Sequence, residues 1–385
     1  MNKRLLFTLT TLLILILSSC NSSPANSNNV KLFGDFEELE NVSYPDSPIS
    51  ISTANIGTAS VDEDEIEFKL VASIKSPSLA GEVLQATSVD INGRKAVISY
   101  NMAGSKYLGA IDYIDLSNPK KPRVFRRTTN GADIHEIDIN GSKIYAAIGF
   151  EDKEYPFTAA FLDIDLNKFL DSKLKVLEAK EYALKGHVGT SVSTDRKYIF
   201  ATSGREGGFS LITRNNHNNK KFVALEDARW VDSNGRLVAV VQGTPARLTL
   251  IDPNSLEQKT FELKGLEAKD AKASLEISGK RVYIATGKAG IQVFDLNKTE
   301  VEAQLDFSND DFEYVANAVT VDRGLIFSSG GSAGIVVAKQ DGSDINVLGQ
   351  LQLDDHQSVN HAKYKDGYLI VASGLGGVKI IKVKD

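Results

Sequence analysis

The chain has 385 residues, 42% of them apolar and 24% charged, and its 44 Lys and Arg against 50 Asp and Glu give a net charge of −6. That acidic balance argues against a nucleic-acid partner, and a single cysteine cannot form an intramolecular disulfide. The length is large for one core, yet no second compositional regime marks off another domain.

At the start, Lys3 and Arg4 precede an apolar run over residues 5–17, which ends in Leu17-Ser18-Ser19-Cys20. A basic head, a short apolar stretch and small residues describe a secretory signal over residues 1–19, and the run is too short to span a bilayer comfortably as an uncleaved anchor. Leu-Ser-Ser-Cys resembles the lipobox of bacterial lipoproteins. The resemblance implies that Cys20 is acylated, palmitate being one such chain, and becomes the mature N-terminus. That gives the lone exported cysteine a role and the protein a firm hold on a membrane. Asn21, in place of an aspartate, implies an outer-membrane address in the cell envelope. Without residues 1–19, 42 basic side chains face 50 acidic ones, a net charge of −8. Residues 20–67 read as the lipidated cysteine and a flexible tether, polar and of low complexity over 21–29. The acidic run Asp62-Glu63-Asp64-Glu65 lacks the glycine turn and alternating ligands of a calcium loop and reads as solvated.

From residue 68 to 385 one unit recurs. Its most regular copy, residues 272–296 (KASLEISGKRVYIATGKAGIQVFDL), holds an alternating strand, a Ser278-Gly279 turn, a buried strand, a glycine-bounded turn and a third strand. Anchoring each copy on the central apolar residue of its first strand gives Val89, Ile137, Val192, Val231, Leu275, Val319 and Ala362. An all-strand period in the forties is a propeller blade. The expected fold is an all-β, seven-bladed β-propeller of four-stranded antiparallel blades. The last copy has no fourth strand, and residues 68–74 supply it, closing the ring.

Two runs, Ile114-Asp115-Leu116-Ser117-Asn118-Pro119-Lys120-Lys121-Pro122 and Ile139-Asn140-Gly141-Ser142-Lys143-Ile144-Tyr145-Ala146-Ala147, resemble the LVIVD repeat of bacterial surface propellers; residues 280–295 resemble it and also the related YVTN-type repeat. Asp165-Leu166-Asn167, Asp252-Pro253-Asn254 and Asp295-Leu296-Asn297 are shortened forms of the same strand exit. The resemblance implies a propeller exported to the envelope and implies no reaction.

Two residues before the anchors stand Thr87, His135, Thr190, Arg229, Ala273, Asn317 and Asn360; one before stand Ser88, Glu136, Ser191, Trp230, Ser274, Ala318 and His361. Buried strands favour Val and Ile, so this polar excess reads either as the lining of a wet axial channel or as a ligand site on that face. The residues proposed to bind a ligand are His135, Glu136, Arg229, Trp230, Asn317, Asn360 and His361. Trp230 reads as packing or as a sugar-stacking platform. No metal and no cofactor is expected, because the histidines have no cysteine partner and Gly374-Leu375-Gly376-Gly377 opens a strand. The pairs Asp112 with Asp115 and Asp163 with Asp165 read as turn-capping or solvated, and no catalytic motif stands out. The expected function is a non-catalytic binding or scaffold module, anchored to the membrane by its lipid, for a protein or glycan partner. Alternatives are a polysaccharide hydrolase or lyase using His135, Glu136 and His361 as acid and base, and a structural subunit of an envelope assembly that binds through a blade edge.

Overall fold

The computed structural model describes residues 30–34, 42–53, 66–151, 158–217, 220–265, 272–308, 313–353 and 357–384; the signal, Cys20 and the 62–65 acidic run lie outside them. The alternating segments form seven antiparallel sheets, and in each the strands of the repeat itself follow the chain outward from the innermost. In the fifth blade it runs Leu275–Ser278, Arg281–Ala285, Ile291–Asp295, Glu300–Leu305. The first strands are Gln85–Asn92, Ala132–Asn140, Ser191–Thr194, Ala228–Ser233, Leu275–Ser278, Ala318–Asp322 and His361–Lys365. Each packs against the first strands of both neighbours, the seventh against the first, so the blades radiate from a common axis. All seven anchors fall in these strands and none exceeds 3% exposure. The apolar cores consequently lie between blades, as expected of units that cannot bury both faces alone.

Closure follows the sequence expectation. Glu67–Ile74 pairs antiparallel with Val378–Lys384 as the fourth strand of blade 7, Ile74 opposite Val378 and Glu67 opposite Lys384.

The tether expected over 20–67 is corrected by the described part of that stretch. Lys31–Phe33 lies between the outer strand of blade 1 and Val176–Glu178. Val42–Ser43 and Ser47–Ile49 pair with Glu67–Ile74, and Ile51–Ser52 pairs with Asp344–Leu351 of blade 6. The arm covers the outer edges of three consecutive blades, whose free N–H and C=O groups would otherwise invite other strands. Leu32, 0% exposed, fixes it in the core with Leu177 and Phe169.

The long second repeat has a structural explanation. Asp165 caps a short helix, Leu166–Phe169, after which Val176–Glu178 leaves for the blade 1 sheet and Lys180–Leu184 returns as the fourth strand. Arg127, fully buried, braces this excursion by donating from Nε to Phe169 O (2.8 Å), Nη1 to Leu174 O (2.9 Å) and Nη2 to Asp171 O (3.1 Å).

Glycines in the turns between second and third strands lock blade to blade. Gly204, Gly287, Gly331 and Gly374 have φ of 52–63° and bridge to Ala228, Ala316, Val359 and Ala86, at or just before the next first strand. These left-handed positions favour glycine, and they define the ring face that carries the candidate site.

Candidate functional site on the ring face

Neighbouring first strands diverge instead of pairing, so the N–H and C=O groups along each seam need side-chain partners. Two residues before the anchor, side chains donate to the next blade: Thr87 Oγ1 to Ile134 O (3.0 Å), Thr190 Oγ1 to Ala228 O (2.8 Å), Asn360 Nδ2 to Ala86 O (2.8 Å). One residue before, they accept the N–H of the next anchor: Glu136 Oε2 from Val192 (2.7 Å), Ser191 Oγ from Val231 (3.3 Å), Ser274 Oγ from Val319 (2.9 Å), His361 Nδ1 from Val89 (3.2 Å).

Four of the proposed ligand residues also take part in these seams. Glu136, Asn360 and His361 commit polar side-chain atoms to the adjacent blade, and Glu136 and His361 are each 5% exposed. Asn317 serves the seam through its backbone carbonyl, which accepts from Ser274 N of blade 5 (3.2 Å). Trp230 lies across the axis with its ring 5.1 Å from that of His361 and is 7% exposed.

A further polar ring, one residue after the anchors, escaped the sequence reading: Asp90, Asp138, Ser193, Asp232, Glu276, Thr320 and Lys363. Asp90 Oδ2 accepts from Ile139 N (2.9 Å), Asp232 Oδ2 from Ile277 N (2.8 Å) and Thr320 Oγ1 from Tyr364 N (3.3 Å), repeating the seam logic one layer along. Lys363 Nζ donates to Glu276 Oε2 at 2.9 Å. Burial raises the carboxyl groups of Asp90 and Asp138 and pushes Asp232 up to about 6. Burial opposes the charge of Lys363, but Glu276, Asp90 and Asp232 outweigh it and raise the ammonium. The available signal was acidic residues in four of seven equivalent positions. Among the described residues no cluster of His, Cys, Asp or Glu is placed to hold a metal ion.

His135, Arg229 and Trp230 do come together, lining a cavity of about 1180 Å³ that opens off the axis beside blade 4. The Arg229 guanidinium is gripped by Asp227 Oδ2, at 3.2 Å from Nε and 2.9 Å from Nη2. It lies so close over Gly243 that a Cβ at 243 would overlap it, so the absence of a side chain there lets arginine enter the wall. His135 Nδ1 stands 3.2 Å from Asn101 Nδ2; burial, with the nearby charge of Lys272, holds its imidazole down at about 4, neutral at physiological pH. Lys272 crosses to the carbonyls of Thr87 and His135 (3.5 Å to the latter). Burial presses its ammonium down to about 7, against the pull of the Glu136 carboxylate. Arg205, Arg247 and Lys264 also line the cavity, with Asp227 and Glu262 as the described acids. Arg247, Lys264 and Lys272 were not read from sequence as site residues. They come from the start of the third strand of blade 4 and from the connection to blade 5, away from the anchor register.

No family model matches the chain, and no curated protein matches it in sequence. Among solved structures it is similar to U3-55K, at 11% identity and a TM-score of 0.59, covering 80% of this chain and 98% of that one. It is similar to the RRP9 WD40 repeats at 11% and 0.60, with the same coverage, and to the computationally designed Ika8 protein at 10% and 0.51, covering 88% and 100%. At such identities likeness bears on architecture alone, and the architecture is that of a seven-bladed β-propeller.

Proposed function

We propose that the protein is a lipid-anchored binding module of the bacterial cell envelope, of the LVIVD-repeat type, which holds a protein or glycan partner in the ring-face cavity without turning it over. The observation that carries this reading is Arg229, set in the wall of a ligand-sized cavity by Asp227 and Gly243. Preorganisation of this kind lowers the entropic cost of binding. The hydrolase or lyase alternative gains nothing from the arrangement, because Glu136 and His361 already accept backbone N–H groups inside the seams.

The test is recovery of crosslinked partners from envelopes carrying the wild-type chain or an Arg205→Ala/Arg229→Ala variant. Recovery should fall at least about tenfold, the order expected for losing arginine anchors. Undiminished recovery would exclude the cavity and favour a blade edge as the binding surface.

A further inference from the structure

The cavity wall is unevenly charged for a protein of net charge −6. Its described residues include Arg205, Arg229, Arg247, Lys264 and Lys272 against Asp227 and Glu262. Asp227 is taken up by Arg229. Among the described residues Arg205, Arg247 and Lys264 have no ion pair, although Glu262 stands directly across the strand pair from Arg247. Cations gathered in one concavity repel one another and focus a positive potential into it, and an anion relieves both. Guanidinium groups match carboxylates in geometry as well as charge. The only indole in the wall, Trp230, is packed against His361, and a carbohydrate site would want an open aromatic face.

We infer that this cavity is a docking site for an acidic peptide segment of the partner, whose carboxylates supply the counter-charges that Arg205, Arg247 and Lys264 do not find among the described residues. The inference rests on the ring-face reading and names its ligand chemistry. Affinity should be strongly salt-dependent, since Arg205 and Lys264 are exposed, within reach of solvent ions.

Fluorescence anisotropy of the full chain with a labelled octaglutamate peptide tests it, beside a neutral Gly-Ser octapeptide and an oligogalacturonate. Octaglutamate should bind at least about tenfold more tightly than either. Arg247→Glu and Lys264→Glu should each weaken it by a further order of magnitude, while Lys180→Glu, on the outer strand of blade 2, leaves it unchanged. Preference for oligogalacturonate, or indifference to Arg247→Glu, would overturn the inference. Octaglutamate failing to bind while partner recovery still depends on Arg205 and Arg229 overturns the peptide assignment and leaves the cavity as the binding site; failure of both removes both.

Discussion

At the scale of a residue, the seams of the ring carry an electrostatic cost, and Glu136 bears it most clearly. Its carboxylate accepts from Val192 N at 2.7 Å, but burial pushes its pKa up to about 8, above the 4.5 of an unperturbed glutamate. A folded-state pKa above the unfolded one means that ionisation opposes folding. The penalty is absent below the unfolded value, grows through the interval and is complete above the folded value. Glu136→Gln keeps an acceptor for Val192 and removes the charge. It should therefore stabilise the protein by about 2 kcal/mol near pH 9 and leave it unchanged near pH 4. Thermal melts at both pH values check this, and equal shifts at the two would contradict it. The same residue shows how far site chemistry is legible. Polarity at position 136 is plain in the sequence, but whether the carboxylate meets a ligand or a backbone N–H depends on Val192, 56 residues away.

At the scale of an element, local chemistry decides more. The Asp-x-Asn and Asp-x-Ser strand exits are Asx turns: Asp115 Oδ1 accepts from Ser117 N (2.9 Å), Asp165 from Asn167 N (3.0 Å), Asp252 from Asn254 N and Asp295 from Asn297 N (2.7 Å each). Turn-capping thus holds for Asp115 and Asp165. Their companions differ: Asp112 is 0% exposed and bonded to Arg126, and Asp163, at 5%, faces Lys143, contacts made between strands that a local pattern does not show. Glycine positions can be ranked by the same reasoning. Gly279 and Gly290 both have positive φ, 59° and 72°, but a Cβ at 279 meets nothing within 4 Å, whereas at 290 it would run into the carbonyl of Leu305 on the fourth strand. Gly279→Ala should cost about 1 kcal/mol from backbone strain alone, and Gly290→Ala about 3 kcal/mol, because the outer strand must also move. Urea unfolding of the two variants distinguishes them; equal losses would remove the contact from the explanation.

At the scale of the whole molecule, the ring is held shut by residues 67–74 and girdled by an arm on blades 1, 7 and 6. The first described residue of that arm, Val30, lies ten positions after Cys20, so the proposed lipid would sit within roughly 35 Å of it, given about 3.5 Å per extended residue. Cys20→Ser should move the protein from the membrane to the soluble fraction with the propeller still folded, as read by fractionation and circular dichroism. Continued sedimentation with membranes would refute lipid anchoring. Blade number, strand order and ring closure were determined by sequence alone, because each blade is a run of antiparallel hairpins whose alternation and turn residues are local. The edge-binding arm was legible only as short apolar pieces around residues 30–33 and 49–51, since nothing local tells a strand from a linker when its partner is an exposed edge far along the chain. Tertiary structure alone decided which polar residues bind blade to blade and which line the cavity. Those roles follow from distances between atoms of successive blades, as when Glu136 reaches Val192 while Arg229 turns instead to Asp227 and the open wall beside Gly243.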